Sequence, residues 1–204
     1  SQADRHGIVS AKSTPAKKYG INTGEVLWQA RQKCPDLVVV PPDYELYIKC
    51  SDALVEILKE HSPLIQRFSI DEAFLDYSGM SESFGPPLPY AYALKEKIKN
   101  NLGFTVNIGI GPNKLLAKVA GDLKKPDMIH TILNREEMEK KMWPLPVQDL
   151  FMVGRASKKK LNDIAVYTIG DLAKCDPKVL KYKLKSHGIL IWQYANGLEE
   201  SPVH

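Results

Sequence analysis

The stretch F-S-I-D-E-A-F-L-D-Y, residues Phe68 to Tyr77, sets two adjacent carboxylates, Asp71 and Glu72, among strong β-formers. Ile70, Ala73 and Leu75 are apolar and Phe68 and Phe74 aromatic. That composition predicts a strand, or two short strands meeting at a tight turn. Adjacent carboxylates within an apolar strand are costly, because each must be desolvated and each repels the other. A hard divalent ion such as Mg2+, which takes oxygen ligands, removes that cost. A solvated turn between the strands accommodates the same pair with no ligand at all. Asp76 follows Glu72 at an even spacing, so a continuous strand brings a further acid onto the same face.

Upstream of this stretch, Leu46, Tyr47, Leu54, Val55, Ile57 and Leu58 give Tyr44 to Glu60 the spacing of an amphipathic helix. Leu37 to Val40 reads as a short buried strand stopped by Pro41-Pro42, and Ile8 and Val9 as the end of another. Ala16 to Tyr19 and Glu25 to Lys33 read as helices separated by Gly20 and Gly24. Downstream, Gly79 to Pro89 reads as a loop, Tyr90 to Asn101 as a helix and Phe104 to Ile110 as a strand. A helix from Lys114 to about Lys124 and a last strand, His130 to Leu133, follow. The order from Tyr44 predicts an α+β fold of split βαβ, ferredoxin-like type: a mostly antiparallel sheet covered by helices. No segment offers itself as a first strand for that sheet.

From Asn134 the texture changes to short helices. Asn134 caps one running to about Met142, and Pro144 and Pro146 form a rigid connector. Asp149 to Ala173 reads as helix, Gly-turn, helix, turn, helix, with the turn at Val153-Gly154. A helix-hairpin-helix-like unit of this kind exposes backbone N–H groups that suit a DNA phosphate, with Ser157 to Lys160 opening the phosphate-facing helix. Gly154 to Gly188 carries nine Lys or Arg against three Asp, a local excess of +6 within a chain whose net charge is +4. A solvated lysine face would account for the same charges.

Other classes are disfavoured by composition. The 204 residues are 44% hydrophobic and 25% charged, as in an ordinary globular protein, with no apolar run of membrane-spanning length. The three cysteines (Cys34, Cys50, Cys175) are far apart and never paired as C-x-x-C, which argues for a reducing cytoplasm and against a zinc or disulfide framework. The five histidines include no i, i+4 pair. Gly109-Ile110-Gly111-Pro112-Asn113-Lys114 is neither a Walker loop nor a Rossmann fingerprint, since it lacks the Gly before and the Ser or Thr after the Lys, and Lys114 occupies the third glycine position.

Four stretches together resemble one family, the Y-family (translesion) DNA polymerases, with the bacterial DinB, DNA polymerase IV-like type the nearest likeness. S-I-D-E-A-F-L-D resembles the family's catalytic signature, and N-I-G-I-G-P-N-K-L-L-A-K-V-A-G-D-L-K-K-P (107–126) its second signature. V-G-R-A-S-K-K-K-L with Y-T-I-G-D-L-A resembles its thumb, and G-I-V-S-A-K-S-T-P-A-K-K-Y-G-I its fingers. The resemblance implies part of the fingers at 1–43, a palm at 44–132 and a helical thumb at 133–204. It implies that Asp71 and Glu72 bind two Mg2+ ions, Asp71 bridging both and Glu72 holding the one that activates the primer 3′-hydroxyl. Lys125, Lys17 and Thr14 would face the incoming nucleotide's triphosphate, Thr14 and Lys17 standing where the family commonly has Tyr and Arg. Gly154, Arg155, Ser157, Lys158, Lys159 and Lys160 would bind primer-template DNA. The family's third metal carboxylate, its sugar-excluding aromatic and its little finger domain are expected outside these residues, as is any segment that meets a sliding clamp. The implied activity is lesion-tolerant DNA synthesis in DNA repair. The alternatives are an inactive DNA-binding relative and a two-metal nuclease.

Overall fold

The computed structural model describes residues 6–204. They divide into two compact units, one ending at Ile48 and one running from Lys49 to His204.

In the first unit a single antiparallel bridge joins Ile8 to Val26. Two helices, α1 (Thr14–Lys17) and α2 (Leu27–Lys33), follow. The Ser13 hydroxyl caps α1 by accepting from Ala16 N at 3.2 Å. Val9, Ile21 and Ala30 form the core. The strand expected over Leu37 to Val40 does not form: Val38 and Val40 are 82% and 76% exposed. An isolated strand has no neighbour to take its N–H and C=O groups, and none is offered here among the described residues.

α3 (Tyr44–Lys59) begins under a cap from Asp43, whose carboxylate accepts from Leu46 N at 3.0 Å. Its second half buries Ile57 and Leu58, whereas Leu46 and Tyr47 are exposed. The short strands β1 (Ile65–Arg67) and β2 (Ala73–Leu75) pair antiparallel with Ile65 opposite Leu75. The alternation of a pleated strand sends Ile65, Ala73 and Leu75 into a core with Ile57, Leu58, Leu94 and Ile98. The expected loop after β2 contains a helical turn, α4 (Ser81–Phe84). α5 (Pro87–Leu102) starts earlier than its apolar period suggests, because proline is tolerated in a first turn, and it ends at Gly103 with φ 76°.

β3 (Ile108–Ile110) and β4 (Ile129–Thr131) pair parallel, joined by α6 (Lys114–Asp122). The described strands therefore make two two-stranded sheets, one antiparallel and one parallel, in place of the mostly antiparallel sheet expected. Connectivity explains it: a tight turn forces antiparallel pairing, and a helical crossover gives parallel pairing. α6 lies so close on β3 that a Cβ on Gly109 would sit 1.9 Å from Ala117 O and 2.3 Å from Gly121 N.

The remainder is helical. Asn134 caps α7 (Arg135–Glu137), which continues as a π-helical turn to Met142, matching the expected helix. The first arm of the expected hairpin is only a 3-10 turn, Val147–Asp149. α8 (Arg155–Asn162), α9 (Ile169–Lys174), α10 (Pro177–Leu184) and α11 (Ser186–Ala195) complete the chain. The largest core runs from Leu115, Leu116, Val119 and Ala120 of α6 through Ile132 to Leu161, Ile169, Leu172, Leu180 and Ile191. One core thus holds α6 and the C-terminal helices together. No helix among the described residues is long and apolar enough to cross a membrane.

Candidate active site

Phe68 N and Ser69 N both donate to Glu72 O, at 2.9 and 3.1 Å. They close a tight turn of Ser69, Ile70 and Asp71, so the carboxylates sit where two short strands meet. The Ser69 hydroxyl lies 2.8 Å from Asp71 Oδ1 and 3.1 Å from Glu72 Oε2. One hydroxyl proton serves one acceptor at a time, so both carboxylates converge on a single small group. Glu72 Oε1 accepts from the Lys118 ammonium. Lys118 also lies 3.9 Å from Asp122, one turn further along α6, and Asp122 pairs with Lys125 at 3.0 Å. The result is a line of alternating charge, Glu72, Lys118, Asp122, Lys125, from the hairpin turn along α6 and past its end.

The hairpin face opposite the core carries Gln66, Phe68 and Phe74. Lys114 donates to Gln66 Oε1 at 3.0 Å and lies 5.8 Å from the Phe74 ring, and Lys118 lies 5.3 Å from the Phe68 ring. Phe151 packs edge-on against Phe68, their centroids 6.0 Å apart. Asn113 caps α6 through Leu116 N at 2.9 Å while its amide donates to Gly197 O at 2.8 Å. The helix that aims both lysines is therefore fixed to the C-terminal segment through its N-cap residue.

Asp71 and Glu72 supply hard oxygen donors about one hydroxyl apart, which suits a divalent cation, but as an incomplete set. Among the described residues no group of three or more His, Cys, Asp or Glu could hold a metal. Asp76 does not join them, contrary to the even-spacing expectation. β2 ends at Leu75, and the Asp76 carboxylate turns back to accept from Ser78 N at 2.8 Å.

Of the other residues singled out, Lys125 stands 62% exposed just beyond α6. Thr14 and Lys17 are exposed on α1, in the first unit. Gly154 is the N-cap of α8, so that helix starts at Arg155, before the expected Ser157, and no side chain caps its first N–H groups. Arg155, Lys159 and Lys160 are exposed and Ser157 and Lys158 half-buried. Sequence alone gives Lys118 and Asp122 no role. Their i, i+4 spacing, with Lys125 three residues on, is the signal, but it points to a site only once Glu72 is placed beside it.

The family model described as the impB/mucB/samB family matches residues 1–122. The chain belongs to the impB/mucB/samB family. It is 52% identical over 202 residues to DNA polymerase IV of Clostridium acetobutylicum, covering 99% of this chain and 50% of that protein. It is 44% identical over 200 residues to DNA polymerase IV of Acetivibrio thermocellus, covering 98% and 50%. The chain spans about half the length of the curated relatives it matches. Among solved structures, DinB from Sulfolobus solfataricus superposes with a TM-score of 0.86 at 26% identity, over 97% of this chain and 58% of that one. The insertion ternary complex of Dbh DNA polymerase does so with the same TM-score, identity and coverage. The Y-family resemblance read from the four sequence stretches is borne out, and the mixed α+β architecture with small sheets is that of these structures.

Proposed function

We propose that this chain carries the catalytic carboxylates and the DNA-gripping helices of a DNA-templated, low-fidelity polymerase that copies past lesions. The observation that supports the reading best is the convergence of Asp71 and Glu72 on one hydroxyl, at the head of the charge line that ends at Lys125. In this reading residues 1–43 belong to the fingers, 44–132 form the palm and 133–204 the thumb, with the turn before α8 acting as a helix-hairpin-helix-like DNA grip. Asp71 and Glu72 would hold Mg2+, which when bound supplies the positive charge that stabilises in-line attack on the α-phosphate. Ser69 orients the two carboxylates before binding. Lys125 gives the triphosphate of the incoming deoxynucleotide a cation. Lys17 in the fingers would offer a triphosphate a point charge without the bidentate fork of an arginine, with Thr14 on the same short helix α1. Gly154, Arg155 and Ser157 to Lys160 hold the primer-template backbone through phosphate contacts that carry no sequence information. The names of the relatives favour this reading over an inactive DNA-binding protein and over a two-metal nuclease.

Asp71→Ala in the full-length protein tests it. Primer extension is expected to fall by about two to three orders of magnitude with duplex affinity nearly unchanged. Extension within tenfold of the unaltered protein would remove Asp71 from the chemistry.

A further inference from the structure

Among the described residues Lys95 is the only charged residue that is buried, at 7% exposure, and nothing in the proposed chemistry uses it. It shares the inner face of α5 with Ala91, Leu94 and Ile98. Its ammonium donates to Asp127 Oδ1 at 2.7 Å, with Glu96 3.4 Å away. Lys99, one turn on, lies 3.7 Å from Asp127 Oδ2. Asp127 has φ 56°, a left-handed backbone that a non-glycine residue adopts rarely and Asp more readily than most. The next residue is fixed to the neighbouring strand: Met128 N donates to Asn107 Oδ1 at 3.0 Å, and Ile108 N to Met128 O at 3.0 Å. The pair favours both charged forms, since the hydrogen bond from Lys95 holds the Asp127 carboxyl below its ordinary range and Asp127 raises the ammonium.

An ion pair with one partner buried and the other half-buried contributes little net stability compared with apolar side chains of similar volume. What this one supplies is geometry. It anchors the segment between α6 and β4 two residues after Lys125, the last cation on the line from Glu72.

We infer that Lys95 and Asp127 are a positioning pair, which holds the turn after α6 so that Lys125 meets the triphosphate of an incoming nucleotide. Neither residue touches the nucleotide. The inference rests on the polymerase reading and deepens it, by tracing the nucleotide's grip to a buried lysine on a different helix.

The test uses the full-length protein with Lys95→Met, Lys95→Arg, Asp127→Asn and the double variant Lys95→Met/Asp127→Asn. Asn tolerates the left-handed backbone, and the charges that the double variant leaves without these partners, Lys99 and Glu96, are both solvent-exposed. Lys95→Met and the double variant are expected to raise KM for the incoming nucleotide about tenfold, with kcat and primer-template affinity within about twofold. Lys95→Arg is expected to restore KM. The double variant is expected to melt close to the unaltered protein, so a loss of nucleotide grip cannot be assigned to unfolding. An active unaltered enzyme whose KM is unmoved in the double variant and in Asp127→Asn overturns the inference, as does a fall in kcat alone. An unaltered full-length protein that extends no primer overturns the polymerase reading itself.

Discussion

Around the carboxylate turn, Glu72, Lys118, Asp122 and Lys125 are joined in one line of ion pairs, with Ser69 bridging Asp71 to Glu72. On α8, none of Lys158, Lys159 and Lys160 pairs with a carboxylate among the described residues. Both regions are rich in lysine, yet they would meet a phosphate on different terms. A ligand entering the first must exchange existing partners, so only chemistry that repays the exchange binds there. The second offers uncompensated charge, which attracts any polyanion by releasing counterions and weakens as salt rises. On the proposed reading, the reaction site and the DNA grip differ in which charges are already paired.

The backbone beneath these charges differs in the same way, and glycine substitutions give the largest expected effects. Gly109→Ala would drive a Cβ to 1.9 Å from Ala117 O, a backbone atom that cannot step aside without moving α6. It should cost at least about 4 kcal/mol in a urea melt and displace Lys118 from Glu72. Gly154→Ala, with no atom within 4 Å of the new Cβ and φ −86°, should stay within about 1 kcal/mol. Equal stability losses at the two positions would erase the contrast between a crowded site and an open grip.

Next in size is the salt response. Replacing Lys158, Lys159 and Lys160 with Ala should weaken duplex binding alike for all sequences, and reduce the slope of log K against log salt by about 0.9 for each phosphate that the variant leaves unneutralised. An unchanged slope would make α8 a solvated face.

A smaller effect probes the paired region. Lys118→Met removes the cation that occupies Glu72, so divalent-ion affinity, read by calorimetry with Mg2+ on a catalytically idle sample, should rise about two- to fivefold. That range corresponds to the roughly 0.5–1 kcal/mol of a partly exposed ion pair. A fall instead would show that Lys118 organises Glu72 for the metal rather than competing with it.

Sequence showed the site better than it showed the sheet. The hairpin, α3, α5, α6 and the Asn134 cap were legible because apolar period, Pro and Asn positions and turn residues act locally. The parallel β3–β4 pair was not, since a run such as Phe104 to Ile110 does not say which strand will sit beside it. Leu37 to Val40 shows the same limit: β-formers make a strand only where a partner takes the ladder. Asp71 and Glu72 stood out as a costly pair, whereas Lys118 and Asp122 looked like any exposed i, i+4 pair until the hairpin folded over them. Lys95 falls four residues after Ala91 and three before Ile98, so helical period sets it on the apolar face, but period does not say that a distant carboxylate will meet it there.

An effect of the same order is expected at α9, where a neutral cap and an ionised one work together. Thr168 Oγ1 accepts from Asp171 N at 3.0 Å, and the Asp171 carboxylate accepts from Tyr167 N at 3.1 Å and Thr168 N at 3.0 Å. This reciprocal box satisfies donors that the start of a helix leaves free. Thr168→Ala should cost about 1 kcal/mol, although Ile169 and Leu172 behind it are fully buried, because the packing survives the loss of the cap. The bonds from the Tyr167 and Thr168 N–H groups hold the Asp171 carboxyl below the usual range of an aspartate. A pKa lower in the folded than in the unfolded state means the unfolded chain binds the extra proton as pH falls. The contribution of Asp171 is therefore full above about pH 4, the unfolded value, and is lost as pH drops through the depressed folded value. Asp171→Asn should accordingly lower Tm at pH 6 and converge on the unaltered protein toward pH 3. A Tm difference that does not change over that interval would show that the carboxylate contributes shape alone, and that the box is held by Thr168.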